Sequence, residues 1–278
     1  MRSISTIFLF VLLFFTACKK QDTPFVGLYH SYKMFYGPDT TLQVMDIYVP
    51  AHTAYKYVPV MILIHGGGWF AGSTGDFDAT LIYDTLVNQG YAVVNMNYRL
   101  APAAKYPAQL DDIDSVIVFL QKNQQKLQID PTRICLLGRS SGGHLALQYA
   151  YTRNHSNNIK AVIDCFGIPD LVATDEMAVR LDTQIANFLG AAYIDNKPLW
   201  RNASPINHMD GSIPTIIFQG TIDDVVFPVQ SETLKDSLDA RGTPYKYVEY
   251  IGWGHGFDPP LWQRSMGVAG AWLHDYVF

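Results

Sequence analysis

Gly138-Arg139-Ser140-Ser141-Gly142-Gly143 sets a serine in the GxSxG pattern, directly after the apolar run Ile134–Leu137 and directly before an apolar helix that starts near His144. A sharp strand-to-helix turn forces such a serine into a strained backbone conformation, and the glycines around it leave room where a Cβ would collide. A serine exposed in this way attacks a carbonyl once a neighbouring base takes its proton. The base and the acid that orients it have candidates after the last two strand-like runs. Trp253-Gly254-His255-Gly256-Phe257 follows Tyr247–Tyr250, and Gly220-Thr221-Ile222-Asp223-Asp224 follows Thr215–Phe218. In this reading His255 removes the proton of Ser140 and later protonates the leaving group, while an aspartate fixes its tautomer and stabilises the imidazolium. Asp223 is preferred to Asp224 as that acid because it stands nearer the strand end, where catalytic side chains emerge.

A third element completes the set. His65-Gly66-Gly67-Gly68-Trp69 follows the apolar run Val58–Ile64, and its glycines let backbone amides crowd toward a small target. Attack on a carbonyl turns its oxygen into an anion that needs such donors, and the candidates are the amides of Gly67, Gly68 and Ser141. A phosphate-binding loop is the rival reading of these glycines, but no GK[ST] or GxGxxG pattern follows them. Two other histidines compete with His255 as base. His144 lies one helical turn past Ser140 and is expected to make structural hydrogen bonds, and His65 is expected to brace the glycine loop. His30, His52, His155, His208 and His274 have no supporting motif and are expected on the surface or in structural roles.

The elements that must hold these groups alternate along the chain. Leu42–Val49 alternates as a half-exposed strand does, whereas Val58–Ile64, Ala92–Met96, Ile134–Leu137, Ala161–Cys165, Thr215–Phe218 and Tyr247–Tyr250 are shorter and mostly continuously apolar, which suits strands buried on both faces. Ala108–Lys122 carries a helical stripe of Leu110, Ile113, Ile117 and Leu120, with Asp111, Asp112 and Asp114 near its positive N-terminal end as expected dipole partners. Ser231–Arg241 is a second amphipathic helix. Short strands alternating with helices predict an α/β fold, a mostly parallel sheet covered on both faces. The stretch Pro169–Met209 is too long for a simple connection and is expected to form a helical excursion over the C-terminal edge of the sheet, beside the binding crevice. Trp69, Phe70, Phe166, Trp200, Phe227 and Trp253 are candidates to line that crevice or to pack the core.

With these parts in place, the chain from about Leu42 to Phe278 resembles the hormone-sensitive-lipase-like and the feruloyl and acetyl-xylan-type esterases of the α/β-hydrolase superfamily. The resemblance rests on His65–Trp69, on Asn97-Tyr98-Arg99-Leu100-Ala101-Pro102, on the serine turn with His144, on Ala203-Ser204-Pro205-Ile206, and on Gly254-His255-Gly256-Phe257. It implies an α/β-hydrolase fold and hydrolysis of carboxylic esters through an acyl-enzyme, without metal or cofactor. It also selects the second and third glycines of the loop, Gly67 and Gly68, as oxyanion donors joined by Ser141. Arg139 and Ser141 depart from the acid and the alanine usual around the nucleophile; the backbone roles survive, and what changes is local charge and substrate preference. Gln219 stands where a histidine is common before Gly220, with no obvious catalytic consequence.

Composition narrows the partners. The chain has 278 residues, 49% hydrophobic and 16% charged, with a net charge of −5, so it can bury a large core and is a poor match to nucleic acid. Three cysteines without CxxC spacing exclude a disulfide-stapled scaffold and a Cys/His zinc site. Cys135 and Cys165 lie inside apolar runs and are expected as buried free thiols. Residues 1–17 follow the order of a secretory signal, with Arg2, the apolar run Ile4–Phe15, then small Thr16 and Ala17. Phe15-Thr16-Ala17-Cys18 resembles a bacterial lipobox, which predicts export across the inner membrane, lipidation of Cys18 and a periplasmic or cell-surface lipoprotein held to the membrane by its anchor alone. Residues 18–41 then form a tether or extension, with edge strand, tether and small cap all open for 19–41, and 42–278 form the catalytic domain. An ester that is small or linked to polysaccharide, with acetyl or feruloyl groups, is the expected substrate. The rivals are an amidase or peptidase with the same triad and a non-catalytic binding protein on the same fold.

Overall fold

Runs of apolar residues too short for helices build the centre of an eight-stranded sheet in the computed structural model, which describes residues 29–76, 79–172 and 176–278. The strands are β1 (Tyr29–Phe35), β2 (Val44–Pro50), β3 (Val58–Ile64), β4 (Ala92–Met96), β5 (Ile129–Arg139), β6 (Ile159–Cys165), β7 (Thr215–Gly220) and β8 (Tyr245–Tyr250). Their spatial order is β1-β2-β4-β3-β5-β6-β7-β8. The first two pairings are antiparallel and the rest parallel. Between the strands run α1 (Ala79–Asn88), α2 (Ala108–Leu127), α3 (Ser141–Thr152), α4 (Glu176–Leu189), α5 (Lys197–Asn202), α6 (Pro228–Ala240) and α7 (Pro259–Val277).

The continuous hydrophobicity of β3 has a direct cause. Met61 and Leu63 share a core with Leu86 of α1 and with Trp262, Met266 and Leu273 of α7. Ile62 and Ile64 point the other way, into a core with Leu110 and Ile113 of α2, Leu145 of α3 and Leu234 and Leu238 of α6. Both faces of the strand are covered, so neither set of alternate residues can be polar. α4, α5 and a 3₁₀ segment over Pro205–Gly211 occupy the long stretch before β7, and Leu181 and Gln184 of α4 reach the cavity at the C-terminal ends of the strands. No helix among the described residues is long and apolar enough to cross a membrane.

Three expectations are corrected or narrowed. Among the described residues Tyr29–Phe35 is an edge strand paired only with β2, so of the readings open for 19–41 the edge strand holds for this part. α2 runs to Leu127, a residue seven positions past Leu120 that extends the same buried stripe. Its acids also make ion pairs. Asp112 is buried and takes Arg99 Nε at 2.9 and 3.1 Å on its two oxygens, with Gln43 Nε2 at 2.9 Å. Asp111 and Asp114 both bind Arg153. Cys135 and Cys165 are buried and free. The candidate signal and Cys18 lie outside the described residues.

Candidate active site

Strand β5 ends in the serine turn, and the turn is as tight as its glycines suggest. Ser140 has φ 56° and ψ −121°, a region that costs a non-glycine residue about 1–3 kcal/mol. The Ser140 amide donates to Cys165 O at 2.9 Å. A Cβ on Gly138 would stand 2.1 Å from Gly142 O, and one on Gly142 would stand 2.1 Å from Ile64 O. Those two glycines let helix α3 start against the end of β3. On the other side a Cβ on Gly66 would meet the Ser140 side chain at 3.3 Å, so the glycine loop is pressed against the serine.

Ser140, His255 and Asp223 form one hydrogen-bonded line. His255 Nδ1 lies 2.8 Å from Asp223 Oδ2, and His255 Nε2 lies 2.9 Å from Ser140 Oγ. A carboxylate only accepts, so Nδ1 carries the proton; Nε2 is then a lone pair that accepts from the serine hydroxyl. This is the tautomer a general base needs. The Asp223 side chain is fully buried, and its other oxygen accepts from the amides of Val225 and Val226, each at 2.9 Å. Asp224 is exposed. The loops that carry the acid and the base touch directly, since a Cβ on Gly220 would stand 2.3 Å from Trp253 O.

The competing histidines are committed elsewhere. His144 is fully buried; its Nε2–H donates to Ala203 O at 2.8 Å, and its Nδ1 accepts from the Trp69 indole at 3.2 Å. Burial pushes its pKa down to about 4. Protonation would point an N–H at the indole N–H, so the ring stays neutral. His65 donates from Nδ1 to Gly66 O at 2.7 Å, stacks on Tyr98 at 4.1 Å, and is held below the usual histidine range by burial. Of the rest, His30, His52, His155 and His274 are exposed, and His208 bonds Asn202 O.

Gly67 and Gly68 line a cavity of about 500 Å³ together with Ser140 and His255. Both have positive φ, 109° and 61°. A Cβ on Gly67 would fall 2.3 Å from Ala71 O, which explains why the loop is glycine there. Ser141 opens α3, and its amide is one of the N–H groups that a helix start leaves without an intrahelical acceptor. Trp69, Phe70 and Phe166 line the cavity and make it mostly apolar, with Arg139 as the charged residue on its wall. Trp200 is instead buried, with its indole on Ala191 O.

One polar group behind the serine turn was not singled out in the sequence. Asp164 of β6 sits opposite Gly138, fully buried, with no side-chain donor on either carboxyl oxygen. Burial pushes its pKa up to about 7, partly offset by the amide of Gly167. An unfolded aspartate ionises near 3.8. Between these values the unfolded chain releases a proton that the folded one retains, so this carboxyl lowers stability as pH rises from about 4 to 7. Below that window it has no effect, and above it the penalty is constant. Thermal unfolding of the Asp164→Asn variant is expected to lose this component, so the difference in Tm from wild type grows in favour of the variant from pH 4 to pH 7. A pH-independent difference would show that Asp164 is not protonated in the folded protein.

A mostly parallel sheet with its serine turn after the central strand, and with acid and histidine loops after the last two strands, defines an α/β hydrolase. The chain belongs to the BD-FAE family, whose match covers residues 45–238. It is 27% identical over 250 residues to the esterase LipQ of Mycobacterium tuberculosis, an alignment covering 85% of this chain and 59% of that protein, so it spans less than two thirds of that relative's length. Among solved structures it is similar to a bifunctional GH43-CE protein of Bacteroides eggerthii, at 25% identity and a TM-score of 0.77 over 87% of this chain and 38% of that one. It shares its fold with a truncated carbohydrate esterase from gut microbiota, at 24% identity and a TM-score of 0.78 over 90% and 97% of the two chains.

Proposed function

We propose that this protein is a serine hydrolase of carboxylic esters, with Ser140, His255 and Asp223 as its catalytic triad. The hydrogen-bonded line at the floor of the cavity carries this reading, and the name of the curated relative, an esterase, supports it. Ser140 Oγ attacks the ester carbonyl as His255 Nε2 takes its proton. The oxyanion is received by the amides of Gly67, Gly68 and Ser141. Collapse expels the alcohol, which takes the proton back from His255 and leaves an acyl-enzyme. A water deprotonated by the same histidine then releases the acid.

Acyl groups on polysaccharide, acetyl or feruloyl, are the proposed substrates, supported by the resemblance to feruloyl and acetyl-xylan-type esterases and by the similarity to the bifunctional GH43-CE protein. The test is hydrolysis of p-nitrophenyl acetate, butyrate and octanoate, followed by acetylated and feruloylated xylan, beside the matching p-nitroanilides. Turnover of esters well above anilides is expected, with the short acyl chains preferred. Faster anilide cleavage would move the protein to the amidases, and inertness toward all of them would leave a binding protein on this fold.

For the cell we propose a lipoprotein anchored through Cys18 after removal of residues 1–17, facing the periplasm or the exterior. The lipobox-like Phe15-Thr16-Ala17-Cys18 supports this. Metabolic labelling with palmitate in a bacterial host is expected to mark the full chain and not its Cys18→Ser variant, which should move from the membrane to the soluble fraction. Equal fractionation of the two would overturn the anchor.

A further inference from the structure

We infer that Gln219 is a positioning residue for the triad, holding Asp223 Oδ2 toward His255 through an amide that carries no charge at any pH. The inference rests on the ester-hydrolase reading for its kinetic test. Gln219 closes strand β7 one residue before Gly220 and is fully buried. Its Nε2 lies 3.3 Å from Asp223 Oδ2, 3.1 Å from Gly220 O and 3.3 Å from Val226 O, while its Oε1 accepts from the Ser231 hydroxyl at 2.7 Å. These partners leave only one orientation of the amide. Turned over, its oxygen would face three oxygens, and the Ser231 hydroxyl, itself fully buried on α6, would lose its acceptor.

The consequence for Asp223 follows from counting donors. Oδ1 is fixed by the amides of Val225 and Val226, so the carboxylate cannot swing without breaking two bonds. Oδ2 takes His255 Nδ1–H and one other donor, Gln219. Remove that donor and Oδ2 keeps a single partner in a buried site, where an unmet carboxylate lone pair is costly. Only the Oδ1 side of the carboxyl plane is then held, and the aim of Oδ2 at His255 Nδ1 loosens. The chain Ser231, Gln219, Asp223, His255, Ser140 therefore has a neutral first half.

The experiment compares wild type with Gln219→Met and Gln219→Glu, using p-nitrophenyl acetate and a fluorophosphonate titration that counts competent sites. A hydrogen bond to a charged group at this length corresponds to about a tenfold effect. Gln219→Met is therefore expected to lower kcat about tenfold per titrated site with little change in KM. Gln219→Glu can donate only when protonated, and beside Asp223 it shares a proton until pH rises. Its kcat relative to wild type is expected to fall steadily from about pH 6 to pH 9. Unchanged kcat in Gln219→Met, or a Gln219→Glu deficit independent of pH, overturns the inference. The low-field proton resonance of the His255–Asp223 hydrogen bond needs no turnover: it shifts in Gln219→Met, or in Gln219→Glu at high pH, if Gln219 holds Oδ2, and stays in place otherwise. A wild type that binds the fluorophosphonate yet hydrolyses no ester sinks the ester-hydrolase reading alone, and the resonance then decides the role of Gln219.

Discussion

Ser140→Ala is expected to reduce turnover of p-nitrophenyl acetate by about ten-thousand-fold or more, with KM little changed, because in the proposed mechanism it removes the atom that forms the acyl-enzyme. The residual rate should stay above that in buffer, since the glycine loop and the Ser141 amide remain to meet the oxyanion. A second substitution at the same residue separates chemistry from stability. Ser140 holds φ 56° without being glycine, so Ser140→Gly is expected to be as inactive as Ser140→Ala but to raise Tm, the relieved strain of about 1–3 kcal/mol exceeding glycine's extra backbone entropy of about 0.5–1 kcal/mol. Activity in Ser140→Ala within tenfold of wild type would remove the serine from the mechanism. Equal Tm values for the two variants would show that the turn is held without strain.

The parts of this architecture legible in the sequence were those with a local physical signature. Val58–Ile64 is a strand to the residue because burial on both faces leaves no polar position to blur its ends, and Ala92–Met96 is a strand to the residue as well, with the buried Asn95 amide donating to Thr74 O. Tyr29–Phe35 is the opposite case. It has one neighbour in the sheet and five exposed residues, so its sequence carries no hydrophobic alternation that separates a strand from a tether. Helix α7 was passed over although Asp258 caps it, accepting from the Leu261 amide at 2.9 Å. The paired prolines after the cap read as extended chain, and Gly267 and Gly270 weaken the helical pattern. A Cβ on Gly270 would meet the end of the Gln89 side chain, just past α1. At the site, the serine turn and glycine loop announce themselves because each needs glycines at fixed offsets. The roles of Gln219 and Asp164 depend on neighbours from other elements, and no local spacing encodes those.

The same distinction bears on the choice between two adjacent acids, which the sequence could rank only by distance from a strand end. Asp223→Asn is expected to lower kcat/KM by about ten-thousand-fold. The Val225 and Val226 amides require an oxygen at Oδ1, so the new amide must place its NH₂ where Oδ2 was. That group then faces two donors, His255 Nδ1–H and Gln219 Nε2. His255 escapes the clash by moving its proton to Nε2, and an imidazole protonated there cannot accept from Ser140. The loss therefore comes from the wrong tautomer rather than from unfolding, and Tm should fall far less than activity does. Asp224→Asn changes an exposed residue and is expected to leave kcat/KM within about twofold, as surface substitutions usually do. Measuring both variants under one set of conditions decides between the acids. A larger loss from Asp224→Asn would mean that the loop after β7 rearranges in the working enzyme and that the buried carboxylate serves the fold instead.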